Sequence, residues 1–203
     1  AKIAASRLPN LLYFFGLMWG LWYGTYLLAR RPEAQPLPLP FGGEPNPRDY
    51  GRMIADVAFL FMIATVGILV KIHETSPFPL ILVIHSLAFY GFVRLLDHPI
   101  QASSVLSLML TAAFLTRGLI GLAPLVLCAL ALFASCFYTK RQKLFLLAAL
   151  IIAGILSFVW AMASKQSDFS WFSEWWYWNT SSFAWDKLSH IGKNLRDLVW
   201  FLW

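Results

Sequence analysis

The chain predicts an all-α, polytopic transmembrane fold, and three observations carry that prediction. Apolar residues are 59% of the sequence and charged residues 13%, with a mean hydropathy of +0.64; a soluble domain carries about 25% charged residues. The apolar residues fall in runs of about 17 to 25, the length that crosses a bilayer as a helix. Lys and Arg gather at the ends of these runs, where a membrane protein meets the headgroups. The chain has room for about six to seven spans and little else, so 1–203 reads as one transmembrane domain.

The first expected span is Leu11–Ala29, between Arg7 and the pair Arg30-Arg31. The stretch PEAQPLPLPFGGEPNPRDYG follows, and its prolines favour extended or turn backbone over helix. The second span is Met53–Val70, ending at KIHETSPFP, and the third is Leu80–Leu96, before DHP. The fourth, Ala102–Leu115, is short for a crossing. The fifth, Leu119–Tyr138, follows directly after Arg117-Gly118, and the sixth is Leu144–Ala163. A seventh begins near Leu195. The chain opens AKIAASRLPN, with neither an initiator Met nor a signal-peptide pattern, and stops at DLVWFLW within that last run. It therefore reads as a fragment of a longer polytopic protein.

Alternating spans divide the basic residues between two faces. One face holds Arg30, Arg31, Arg48, Arg52, Arg94, Lys140, Arg141 and Lys143; the other holds Lys2, Arg7, Lys71, Arg117, Lys165, Lys187, Lys193 and Arg196. Among the short loops the first face leads, with TKRQK as its densest cluster, which places it in the cytoplasm. The net charge of +6 is accounted for by these flanking residues, and no nucleic-acid partner is expected.

On that orientation KIHETSP, LTRG and the tryptophan-rich segment 164–194 share the outer face. Tryptophan and tyrosine favour the headgroup layer because their rings are amphipathic. The segment is expected to lie at the interface, either as a plain anchoring belt or as a cover over a lipid-linked ligand. Its covering residues would be Trp171, Trp175, Trp176 and Trp178.

Four polar residues at that face could carry chemistry. Glu74 could serve as a general base, with Lys71 and His73 steadying a phosphate, although all three could equally snorkel as boundary residues. Arg117 lies between two apolar runs, where its charge costs free energy unless it meets an anion or water. The helix that starts at Gly118 or Leu119 would present its amides to the same place, and Arg beside a helix N-terminus suits a phosphate. The bland reading is an interfacial Arg that marks a turn. Glu174 and Asp186 are further candidate acids.

Other features read as structural. His85 is mid-span, and a hydrogen bond to a neighbouring helix is a commoner role there than haem ligation. Asp56, Asp97 and His98 read as boundary residues. Cys128 and Cys136 lie eight positions apart on one expected helix, too far to bridge, and read as buried packing residues. Asn179 opens NTS, the pattern of an N-glycosylation acceptor. No redox or covalent-haem cysteine pattern occurs. No cofactor is expected, and a divalent metal is left open without any ligand pattern to mark it.

Several of these stretches, in order, resemble glycosyltransferase family 39. That family includes protein O-mannosyltransferases and bacterial lipid A aminoarabinose transferases. AASRLPNLLYFFGLMWGLWYGTYLLARR resembles the family's helix after its first outer loop, and GILVKIHETSPFPLILVIHSLAFYGF is similar to the helix pair that follows. AAFLTRGLIGLAP resembles a later segment in which Arg117 replaces the usual Lys. WFSEWWYWN and IGKNLRDLVWFLW resemble a later outer loop and its helix.

The resemblance implies a GT-C-like fold and an inverting transfer of sugar from a polyprenyl-phosphate donor to a lipid, glycan or protein. It implies a bacterial inner-membrane protein with its site facing the periplasm, and membrane lipids and other membrane subunits as partners. Arg117 carries over as a contact to the donor phosphate. The family's acid in the first outer loop would precede Ala1, and its second acid matches Phe78, which cannot act as one, so Glu74 is the nearest substitute. Two other functions compete. EWWYWNTSSFAWD with His73 and His190 is reminiscent of haem-handling membrane proteins, although its leading Gly is absent and Asn179 stands where Asp is expected. The lack of a complete catalytic set also fits a non-catalytic subunit of a larger membrane complex.

Overall fold

The computed structural model describes residues 2–37, 40, 42–65 and 76–181, with side chains from residue 9 onward. Every described element is helical: α1 (Lys2–Ala29), a 3-10 turn (Pro32–Ala34), α2 (Pro47–Ala64), α3 (Phe78–Arg94), α4 (Pro99–Ala134), α5 (Lys140–Ser167) and α6 (Phe169–Ser181). Three helical stretches are long and apolar enough to cross a membrane: Pro9–Ala29, Pro99–Ala134 and Lys140–Ser167. Helix α3 is apolar but shorter. The expected second span, Met53–Val70, is helical only to Ala64 among the described residues, and α2 carries Arg48, Asp49, Arg52 and Asp56. Those charges keep it from matching the other three as a lipid-facing crossing. The expected span near Leu195 lies outside the described residues.

Helix α4 breaks where the sequence places the boundary between its fourth and fifth spans. Arg117 (φ −138°, ψ 18°) and Gly118 (φ 60°, ψ −143°) leave helical geometry. Gly121 then lies against the Ala113 carbonyl. Eight residues along a straight helix would separate them by about 12 Å, so the chain reverses and 119–134 runs back along 99–116. Leu106, Leu110 and Ala113 share one core with Leu125 and Ala129. At the far end the Tyr138 hydroxyl donates to the Phe92 carbonyl at 2.7 Å, and Gln142 Nε2 donates to the Leu96 carbonyl at 2.8 Å.

Helices α1 and α3 run parallel in close contact. Gly16 meets Val83, Gly20 meets Ser86 and Gly24 meets Phe89. A Cβ at position 20 would come within 2.9 Å of the Ser86 backbone. Ser86 Oγ donates to the Leu17 carbonyl at 2.8 Å across this seam. Small residues every fourth position let two membrane helices approach backbone to backbone. Helix α2 packs antiparallel on α1, with Gly51 against Tyr26 and Arg30, and Met62 in a cluster with Leu17 and Val83. Packing then proceeds from α1 to α3, α4 and α5, and α6 rests on α5 and α4.

This arrangement has two polar ends. The ends of α1 and α3 and the starts of α2 and α5 share one of them. Arg31 pairs there with Asp97 at 2.6 Å, and Arg30 stands 3.8 Å from the same carboxylate. The opposite end gathers the start of α3, the 117–118 corner, the end of α5 and α6. Between them the outward surface is apolar, with Leu12, Phe15, Phe61, Leu127, Leu144, Ile155 and Phe158 among its exposed side chains. So much exposed apolar surface suits lipid and not water.

Four local expectations are corrected. The Pro/Gly-rich stretch is not loop to its end: Pro47 opens α2 at the first helical position, where a proline is tolerated, and the Asn46 side chain accepts from the Arg48 amide. Helix α5 continues through Ser167, so the tryptophan segment starts at Asp168 and not at 164. Cys128 and Cys136 are exposed, because a membrane protein's outward face is as apolar as its core and admits a thiol. His85 Nδ1 is bonded to the Ile81 carbonyl of its own helix at 2.7 Å and not to a neighbouring helix among the described residues, since a side chain can reach the carbonyl one turn back.

Candidate functional site

The tryptophan segment is helical because its first turn is capped and its rings pair along one side. Asp168 Oδ1 accepts from the amides of Ser170 and Trp171 at 3.0 and 3.1 Å and from Ser170 Oγ at 2.7 Å. The Ser170 hydroxyl, followed by these amides, holds the Asp168 carboxyl below its ordinary value of 3.8. Trp171 stacks on Trp175 and Phe172 on Trp176, each pair one turn apart.

Trp160 of α5 is the socket for this helix. Its ring meets Trp171 at 6.2 Å and Trp175 at 5.3 Å, edge to face. Phe114 of α4 closes the cluster, 5.9 Å from Trp160 and 5.6 Å from Trp175. The four expected covering residues therefore divide. Trp175 turns inward and anchors α6, with Trp171 half engaged in the same cluster, while Trp176 and Trp178 remain about half exposed.

At its far end α6 reaches the corner of α4. Asn179 is fully buried. Its Oδ1 accepts from the Leu119 amide at 3.0 Å, and its Nδ2 donates to the Trp175 carbonyl at 3.0 Å. Leu119 is the first residue of the returning helix, so Asn179 caps that helix from another element. A side chain at Gly118 would land on the Asn179 amide, and Gly118 has a positive φ besides. Two expectations change accordingly. Asn179 is no glycan acceptor in this fold, since its amide is buried and committed. The Leu119 amide, expected to face a phosphate, is already taken.

Arg117 stands at this corner, half buried, with its guanidinium 4.4 Å from the centre of the Phe78 ring. That distance suits a cation–π contact, which steadies the charge without consuming its N–H groups. Among the described residues no ion pair or hydrogen bond uses those groups. Phe78 at the start of α3 thus has a role that its failure to act as an acid left open. Lys71, His73, Glu74 and Asp186 lie outside the described residues. Of the acids described at this end, Asp168 is committed to its cap, and Glu174 is exposed on α6. Among the described residues no group of three or more His, Cys, Asp or Glu is placed to hold a metal ion.

The structure thus brings Arg117, Phe78, Trp171, Trp175, Trp176 and Trp178 to one end of the bundle. Sequence reasoning missed two members of this site, Trp160 and Asn179. Trp160 is one apolar residue among many in its span, and the NTS pattern around Asn179 pointed to a different role. No protein-family model, curated protein or solved structure matches this chain.

Proposed function

We propose that this chain belongs to a membrane glycosyltransferase and holds the phosphate of a polyprenyl-phosphate sugar at the Arg117 end. The observation that carries this reading is a half-buried guanidinium on the Phe78 ring, its N–H groups unpaired among the described residues, beside a helix of tryptophans at the same end. A guanidinium suits a phosphate because its N–H groups match two oxygens at once. The exposed rings of Trp176 and Trp178 offer amphipathic surface at the level where such a headgroup sits.

In this reading an acceptor hydroxyl gives its proton to a carboxylate as its oxygen attacks the anomeric carbon. The bond from that carbon to the phosphate oxygen breaks, and polyprenyl phosphate leaves with its negative charge held by Arg117. The base is Glu74 or an acid from outside this chain. The bacterial inner membrane, with this end in the periplasm, follows from the same reading and from the TKRQK cluster at the other end.

The test is transfer from a polyprenyl-phosphate sugar by Arg117→Ala and Arg117→Lys. Alanine is expected to cost about 100-fold or more in rate. Lysine, which keeps the charge but not the fork, is expected to retain part of it. Unchanged transfer by Arg117→Ala removes Arg117 from the mechanism. A second reading, a non-catalytic subunit, is favoured by one observation: among the described acids at this end, none stands ready beside Arg117. Co-purification with a stoichiometric partner that supplies the acid would decide for it.

A further inference from the structure

The other half of the bundle holds an aromatic cavity that the glycosyltransferase reading does not use. It lies between α1 and α2, measures about 430 Å³, and is lined by Phe15, Met18, Trp19, Trp22, Tyr23, Asp56 and Phe59. Among the described residues that line it, Asp56 alone is charged. Trp22 Nε1 donates to Asp56 Oδ1 at 2.8 Å, which aims the carboxylate and leaves Oδ2 open. Among the described residues no Lys, Arg or His pairs with Asp56; the nearest in sequence, Arg52, stands 3.5 Å from Asp49.

Asp56 also stands away from the basic end of the bundle. Asp56 is level with Trp22, which precedes Arg30 by two turns of α1, or roughly 12 Å along the axis. Asp56 is exposed beside the apolar span of α1, and a carboxylate facing lipid there costs free energy unless it meets a cation or water. The rings beside it offer π faces. Trp19 lies 5.0 Å from Tyr23, Trp22 lies 5.0 Å from Tyr23, and Trp22 stacks on Tyr26 at 5.4 Å. A carboxylate within aromatic walls is a cation site, and aromatic walls favour weakly hydrated organic cations over metal ions. Phe15, Trp19 and Tyr23 are exposed at its mouth, so the opening faces outward, toward lipid.

We infer that the Asp56 cavity binds a lipophilic organic cation, an ammonium or phosphonium centre on an apolar body, that enters from the bilayer. The charge meets Asp56 Oδ2 and the faces of Trp19, Trp22 and Tyr23, and the apolar body lies along Phe15, Met18 and Phe59. The site is separate from the Arg117 end and does not depend on sugar transfer.

Equilibrium binding of labelled tetraphenylphosphonium to the full chain, purified in maltoside micelles, tests this. The expected result is saturable binding, one per chain, weakened about tenfold or more in Asp56→Asn and also weakened in Trp19→Leu. Asparagine keeps an acceptor for the Trp22 indole, so unchanged elution of that variant in size exclusion separates lost charge from lost fold. A neutral tetraphenyl compound of the same shape is expected to show no dependence on Asp56. The inference fails if tetraphenylphosphonium binding is non-saturable or equal in Asp56→Asn. It fails also if a stoichiometric partner protein co-purifies and is released by that substitution, since Asp56 then pairs with a cation of the partner.

Discussion

At the corner of α4, one side chain and one missing side chain fix the geometry. Gly118 has a positive φ and no room for a Cβ, and Asn179 fills the space against it. Gly118→Ala is expected to destabilise the fold by about 2 kcal/mol or more, because strain and overlap add. Asn179→Ala leaves the Leu119 amide unpaired in a buried corner and is expected to cost about 1–3 kcal/mol. Thermal unfolding followed by tryptophan fluorescence checks both, and wild-type stability in either variant would contradict the cap. Asp168 gives a pH signature at the same scale. Its carboxyl is held below 3.8, so its cap contributes fully above that value and is lost as pH falls through the depressed one. Fluorescence of the α6 tryptophans should hold steady until pH drops below the ordinary carboxylate range. An Asp168→Asn variant should lack that acid transition.

Among the elements, α1 and α3 meet in a close seam. Gly20 sits on the Ser86 backbone, and Gly16 and Gly24 flank it at four-residue spacing. Gly20→Leu should force the helices apart, cost about 1–3 kcal/mol, and break the Ser86 to Leu17 hydrogen bond; a native melting curve would show that the seam is not under such constraint. This spacing, GLMWGLWYG, was open to inspection in the sequence as a small-residue pattern. Counting apolar runs passes over it, because glycine neither lengthens nor ends a run. Run-counting does locate the apolar stretch Pro9–Ala29 of α1, and α3 and α5, within a few residues, and Arg117-Gly118 announces the break in α4. It fails at α2, which carries four charged residues and whose Asp56 is paired with Trp22 of α1. The reason is that neither the apolar pattern nor the charge count tells which neighbouring helix, here α1 through Trp22, receives a polar group.

Across the whole molecule, two polar ends separated by an apolar girdle describe a chain built for a bilayer. Among the described residues, Arg30, Arg31, Arg94, Lys140 and Arg141 lie at the end opposite Arg117, while Lys71, Lys187, Lys193 and Arg196 of the other expected face lie outside them. Cys136 lies exposed in the turn between α4 and α5 at the basic end, while Cys128 faces outward along the returning half of α4. If the basic end is cytoplasmic, a membrane-impermeant maleimide should label Cys136 only after cells are permeabilised; labelling of intact cells would invert the orientation. The proposed role of the Arg117 end is to hold a lipid-borne phosphate. Affinity for polyprenyl phosphate, compared with the neutral polyprenol, measures that directly in the wild-type chain and in Arg117→Ala. The wild type should prefer the phosphate by about tenfold or more and the variant should lose that preference, whereas equal affinity for both lipids, unaltered by the substitution, would contradict it.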